Sequence, residues 1–323
     1  MIETINLTKR YADLVALDEL NLTIEQGDCY GFIGPNGAGK TTTIKILATL
    51  LKPSSGQAQI DGLTVGYQNR QIRPRIGYVP DFMGAYEDMV VTEYLEFFAA
   101  AYNIHGSQRK KVVADVLELT DLNYKATAEV NSLSRGMQQR LSIARVLLHD
   151  PKVLLMDEPA SGLDPRARIE IRELLKELKR MGKTILISSH ILHELAELCT
   201  SVGIIERGKL LFSGSVREAL QRARIGHILH VGVAERTPDA AEVLSKMPGV
   251  KKIALVEDNG QELTGGDLHH AIMHIEFDDA AGAANWTDIP NILVNNGFRM
   301  TKFTEEAINL ETAFMRLTKG LVQ

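Results

Sequence analysis

The run Gly34-Pro35-Asn36-Gly37-Ala38-Gly39-Lys40-Thr41, followed by Thr42, has the make-up of a phosphate-binding loop. Glycines at the spacing Gly-x4-Gly-Lys-Thr let the backbone curl until successive N–H groups point at one centre. Lys40 adds a mobile positive charge for outer phosphates, and the Thr41 hydroxyl suits a Mg²⁺ ion. A second group lies far along the chain, where Asp157 and Glu158 follow the apolar run Val153-Leu154-Leu155-Met156. Asp157 suits the same Mg²⁺, and Glu158 suits a general base that orients and polarises water. Together these residues predict the hydrolysis of a nucleoside triphosphate.

Such residues act only if elements hold them at one edge of a sheet. The apolar run Cys29-Tyr30-Gly31-Phe32-Ile33 predicts a strand before the loop, and residues 42–51 predict a helix after it. The helix dipole then favours anions at the loop. Near-alternation over residues 1–33 predicts strands with turns, and 57–60 and 75–79 predict further strands. From Thr92 to Leu148 the pattern turns helical, with helices at 93–102, 109–119 and 134–148 and Thr92 as the cap of the first. A parallel α/β pattern returns afterwards, with strands at 153–156 and 184–188, helices at 165–181 and 191–199, and a hairpin at 202–206 and 209–213. The expected fold class is α/β: a nucleotide domain over 1–224 with a helical subdomain at about 90–150, then a small accessory α+β domain over 225–323. The latter reads β-α-β-β-α-β, a ferredoxin-like order, with Pro290 interrupting a helix over 280–295 and a final helix at 310–317.

The chain has 323 residues, 45% hydrophobic and 24% charged, with a net charge of -5, so no global basic excess points to nucleic acid. The short basic pieces 70–75 and 217–224 read as solvated faces. Cys29 and Cys199 read as buried thiols of a reducing compartment. No signal peptide and no run of about 18 apolar residues is visible, so a pore would come from another chain.

The segment Leu133-Ser134-Arg135-Gly136-Met137-Gln138-Gln139-Arg140 resembles the signature loop of ATP-binding-cassette (ABC) proteins, usually Leu-Ser-Gly-Gly-Gln. It departs from that pattern at Arg135 and Met137. Ser134 either caps the following helix or offers its hydroxyl to a γ-phosphate, and Gly136 permits close backbone approach. The resemblance extends to Ser161-Gly162-Leu163-Asp164, similar to the family's D-loop, where Asp164 before Pro165 is equally a good helix cap. His190 resembles the family's switch histidine, and Tyr11 its adenine-stacking aromatic. His190 and His193 also have the spacing of a metal pair, without an evident third ligand. His269, His270 and His274 read as surface or pocket histidines rather than ligands.

Asp81 stands where the family generally has a glutamine, and the expectation is that it remains a Mg²⁺ ligand. That Asp, the Leu-Ser-x-Gly-Met form and the ending Leu310-Glu311-Thr312-Ala313-Phe314-Met315-Arg316-Leu317-Thr318 resemble cassettes serving ABC-2-type exporters. The resemblance implies an ATPase using ATP and Mg²⁺, with two copies closing head to tail so that the Ser134–Arg135–Gly136 loop covers the partner's nucleotide. It also implies an integral-membrane permease as partner and a peripheral place on the cytoplasmic face of the cell membrane. The alternative is a soluble ATPase of the same family with a non-transport role, its last hundred or so residues regulatory.

Overall fold

The computed structural model describes residues 1–81, 84, 89–189, 192–223, 227–256, 271–277, 285–306, 310–311 and 314–315. The chain divides into two compact units, Met1–Ala219 with Phe314–Gln323, and Leu220–Ala313.

The first unit opens with β1 (Ile2–Tyr11), β2 (Leu14–Ile24), β3 (Cys29–Ile33), α1 (Lys40–Leu47), β4 (Ser55–Ile60), β5 (Leu63–Thr64), α2 (Asn69–Ile72) and β6 (Ile76–Val79). Three helices follow, α3 (Val91–Ala101), α4 (Gly106–Leu119) and α5 (Arg135–Leu147). The α/β pattern resumes with β7 (Val153–Asp157), α6 (Pro165–Arg180), β8 (Thr184–Ser189), α7 (Leu192–Leu198), β9 (Ser201–Glu206) and β10 (Lys209–Ser215), and α8 (Val216–Ala223) runs across the boundary at Ala219.

One sheet has the order β10-β9-β3-β8-β7-β6. β3, β6, β7, β8 and β9 pair in parallel, and only the β9–β10 hairpin is antiparallel. Every residue of β3 and β7 is buried, which is why both read as unbroken apolar runs. The register sets Asp157 beside Ser188 and Ile33 beside Ser189, so three strands deliver their carboxyl ends to one place. A second sheet, antiparallel and ordered β2-β1-β4-β5, shares its core with the first through Leu7, Leu20, Ile44, Leu155 and Ile205. Each such side chain contributes about 1.5–3 kcal/mol by leaving water.

The helical layer is tied to the core by specific contacts. Arg140, buried in α5, donates to the Thr120 and Asp121 carbonyls at 3.2 and 3.0 Å and pairs with Glu170 of α6 at 3.4 Å. His149 donates from Nε2 to the Ile76 carbonyl of β6 at 3.0 Å and stacks on Tyr102 at 4.1 Å. Cys29 and Cys199 are free and buried, with their sulfurs 3.8 Å apart.

Some local expectations change. Thr92 is not a cap: α3 starts at Val91, and the Thr92 hydroxyl donates to the Ala126 carbonyl at 2.7 Å. Residues 217–223 form most of α8, with Arg217 and Arg222 exposed as a solvated face requires. That helix starts with a capping box in which Ser215 Oγ accepts from Glu218 N at 3.1 Å and Glu218 Oε2 accepts from Ser215 N at 2.7 Å.

The second unit contains β11 (His227–Val233), α9 (Thr237–Ser245), β12 (Val250–Val256), β13 (Ile272–Phe277), α10 (Ile289–Asn295) and β14 (Met300–Glu305). Its sheet is antiparallel with the order β12-β13-β11-β14, the arrangement of a split βαβ unit. Leu229, Val231, Met273 and Ile275 pack with Leu244 of α9 and Leu293 of α10. Pro290 stands in the first turn of α10, where a missing N–H costs nothing, so it begins a helix rather than interrupting one. Burial, with His230 beside it, holds the His274 imidazole below its ordinary pKa. Among the described residues no helix is long and apolar enough to cross a membrane. His190, His269, His270 and half of the predicted last helix lie outside the described residues.

Candidate active site

The loop between β3 and α1 curls because two of its glycines take conformations that other residues resist. Gly37 has φ 79° and Gly39 has φ 112°. A Cβ on Gly39 would also sit 2.7 Å from the Ala16 carbonyl oxygen. The loop is held against β2 and the β9–β10 turn through Gly208, whose N–H donates to the Ala38 carbonyl at 2.9 Å and whose carbonyl accepts from Asp18 N at 3.0 Å.

Lys40 lies 5% exposed under this loop. Its Nζ donates to the Gly34 and Pro35 carbonyls at 2.6 and 3.2 Å and lies 3.4 Å from Glu158 Oε1. Thr41 Oγ1 donates to Asp157 Oδ1 at 3.1 Å. Hydroxyl and carboxylate oxygens with no nitrogen or sulfur among them are the donor set that Mg²⁺ accepts.

Ser188, on the neighbouring strand, brackets both acids. Its Oγ donates to Asp157 Oδ1 at 2.7 Å and accepts from Glu158 N at 3.0 Å. Glu158 takes φ 50°, left-handed for a residue with a side chain, so these bonds hold it in a conformation it would otherwise leave. Strain of this kind concentrates where a side chain must be aimed. Tyr78 of β6 marks how closely the acids gather: burial first, then Asp157 and Asp81, push its phenol up to about 12.

A cleft of about 460 Å³ lies over the loop. It is lined by Tyr11, Pro35, Asn36, Gly37, Ala38, Gly39, Lys40, Thr41, Thr42, Asp81 and Glu158 among the residues singled out from sequence. Tyr11 is 44% exposed at its rim. Leu14 and Ala16, not singled out, line it too. Leu14 pairs with Tyr11 across a hairpin, and the Ala12-Asp13 turn between two strand-like runs was the available signal. Ser188 had a fainter one, a hydroxyl in an apolar strand. Gly34, beneath the cleft, faces the Ile205 carbonyl so closely that no side chain fits.

Ser134, Arg135 and Gly136 are not among the residues that line this cleft. Ser134 caps α5, its Oγ accepting from Met137 N at 3.3 Å. Gly136 lets α5 approach α6, since a Cβ there would sit 2.7 Å from Ala167 Cβ. Arg135 lies against Gly162. Asp164 caps α6, accepting from Arg166 N and Ala167 N at 3.0 Å each, while Ser161 of the same loop lines the cleft.

Comparison with known proteins points one way. A family model described as ABC transporter matches residues 17–161. The chain is 41% identical over 221 residues to the Nod factor export ATP-binding protein I of Burkholderia orbicola (strain AU 1054), covering 68% of this chain and 72% of that protein. It is 45% identical over 212 residues to a bacitracin transport ATP-binding protein of Bacillus licheniformis, covering 65% and 68%. Among solved structures it resembles a dimeric bacterial ABC transporter cassette, with 29% identity and a TM-score of 0.60 over 67% of this chain and 98% of that one. The same cassette in a post-hydrolysis dimer bound to ADP and Pi aligns with 28% identity, a TM-score of 0.60 and the same coverage.

Proposed function

The chain belongs to the ABC transporter family, and from that membership we propose that it drives export through a separate membrane permease by closing head to tail on a second copy of itself. It is an ATP-binding and ATP-hydrolysing subunit. The export reading is supported by the names of its relatives, a Nod factor exporter component and a bacitracin transport component. The dimer reading is supported by the dimeric cassette it resembles.

One observation carries the proposal. The cleft gathers Lys40, Thr41, Asp81 and Glu158, while Ser134 sits elsewhere as a helix cap. A triphosphate held by one chain therefore leaves a face for the Ser134 loop of a second chain to cover. The chain's own residues divide the work as follows. Backbone N–H groups of Gly37 to Thr41 cradle phosphate oxygens, and Lys40 Nζ donates to the outer ones. Glu158, fixed by Ser188, takes a proton from water as the water oxygen attacks the terminal phosphorus and the bond to the ADP oxygen breaks. Thr41 and Asp157 would hold Mg²⁺, with Asp81 a further ligand, and the ion would neutralise charge on the phosphate oxygens. Tyr11 is assigned as the adenine platform, and His190 as a γ-phosphate contact. Loss of the terminal phosphate removes the link across the seam and lets it open.

A groove of about 620 Å³ between α3, α4 and the segment after α5 supports docking of a permease element. Arg70, Arg73, Tyr102, Ile104 and Val112 line it, a mixture of apolar and cationic groups. In this reading the chain is peripheral on the cytoplasmic face of the membrane, and residues 225–323 support or regulate the dimer.

The test is affinity purification from detergent-solubilised membranes combined with an ATPase assay. A membrane-spanning chain should co-elute, and hydrolysis should require Mg²⁺. An ATPase that copurifies with no membrane protein from its native cell would overturn the transport reading.

A further inference from the structure

We propose that His230, His274 and Glu306 form a binding site for a divalent transition-metal ion of the zinc class in the second unit, on the sheet face opposite α9 and α10. The proposal goes beyond the ATPase reading and does not depend on it.

Strand alternation sets up the site. Leu229, Val231, Met273 and Ile275 join the core with α9 and α10, so the residues between them point to the opposite face. His230 of β11 and His274 of β13 are direct cross-strand partners, with ring centroids 5.0 Å apart. Glu306 follows β14 on the other side of β11, anchored by its N–H donating to the Ile228 carbonyl at 2.8 Å. Its Oε2 lies 3.6 Å from His230 Nε2. One ligand atom from each of the three residues falls within 4.8 Å of the others.

These distances are near what a metal needs. A tetrahedral ion with bonds of about 2.0–2.1 Å has ligand–ligand edges of about 3.3 Å. The His230–Glu306 edge is already close to that, and the others need small side-chain rotations. Room exists, since the His230 and Glu306 side chains are 27% and 33% exposed. Two imidazoles and one carboxylate favour zinc, cobalt, nickel or copper over magnesium. Among the described residues the nucleotide cleft offers carboxylate and hydroxyl oxygens for a metal, so the two sites select different ions. Three protein ligands leave a coordination position for water or a partner group.

The topology gives the ion a structural consequence. In the order β13-β11-β14 the three ligands come from adjacent positions, so one ion would staple the centre of the sheet to both neighbours. The three positions lie far apart in the chain, at 230, 274 and 306, so no local motif in the sequence marks them as a set. The competing account is a hydrogen-bonded His–His–Glu cluster that never takes a metal.

The test uses full-length protein stripped with chelator and titrated with Zn²⁺ against a chromogenic competitor, without nucleotide. Wild type should bind one equivalent, and His230→Ala, His274→Ala and Glu306→Gln should each weaken it at least about tenfold, the cost of losing even an outer-shell partner. His227→Gln, on the opposite sheet face, should bind like wild type. Zn²⁺ should raise the Tm of wild type and of His227→Gln but not of the ligand variants, because only a folded site gains from the ion. Each variant is checked by circular dichroism in the absence of metal, so misfolding is not mistaken for ligand loss. Absence of stoichiometric Zn²⁺ binding in wild type, or equal binding in folded His230→Ala and His274→Ala, would overturn the proposal.

Discussion

Glu158 is held at φ 50° with its side chain 3.4 Å from Lys40 Nζ, and in the proposed function it is the base that activates water. Glu158→Gln should keep ATP binding and lower turnover by about 10²–10⁴-fold, the usual worth of a general base. Phosphate-release kinetics beside an equilibrium nucleotide-binding assay would check both halves. Ser188→Ala should lower turnover about tenfold, since it removes the hydroxyl's bonds to Asp157 Oδ1 and Glu158 N while leaving the backbone bond from Glu158 N to the Ser188 carbonyl, and about 1.4 kcal/mol of lost positioning is a factor of ten. An effect as large as that of Glu158→Gln would mean that Ser188 does more than position. Asp81→Ala should raise the Mg²⁺ concentration for half-maximal activity by about tenfold. Unchanged Mg²⁺ dependence and turnover would remove Asp81 from the metal shell. Lys40, Thr41, Asp157 and Glu158 were legible in the sequence because their chemistry is written in adjacent residues. Ser188 was not, because its role exists only once β8 lies beside β7.

The elements that aim these residues were mostly legible too, with informative exceptions. β3 and β7 announced themselves as short apolar runs, and α5 by the cap at Ser134. α8 is harder to read from sequence: Ser215 and Glu218 spell a capping box, but its arginines equally suit a solvated loop. Thr92 is ambiguous in sequence because a threonine near a helix start has two uses, and the Ala126 carbonyl claims its hydroxyl. Two predictions belong here. Gly136→Val should destabilise the protein by about 1–3 kcal/mol by forcing α5 off α6, measured by denaturant unfolding. His149 sits where the helical layer meets β6, its Nδ1 buried with no partner, and burial lowers its pKa below the ordinary 6.5. The unfolded chain therefore binds that proton more tightly. The stability tied to neutral His149 is complete above about pH 6.5 and is lost as pH falls toward the folded value. Unfolding midpoints of wild type minus those of His149→Gln should drop over that window, and a flat difference would show that the ring is not held neutral.

At the scale of the whole molecule, the first unit was the more legible because its chemistry constrains its fold. The second unit is ordered by alternation alone, so its strands could be read while the grouping of His230, His274 and Glu306 could not. In the proposed function nucleotide joins two copies of this chain across a seam that a single chain leaves open. Sedimentation of Glu158→Gln with and without saturating MgATP, with bound nucleotide counted in the same samples, tests it most directly. Monomers without nucleotide and dimers holding two ATP per pair are the predicted result. Fully loaded protomers that remain monomeric at every concentration, with or without permease-containing membranes, would contradict it.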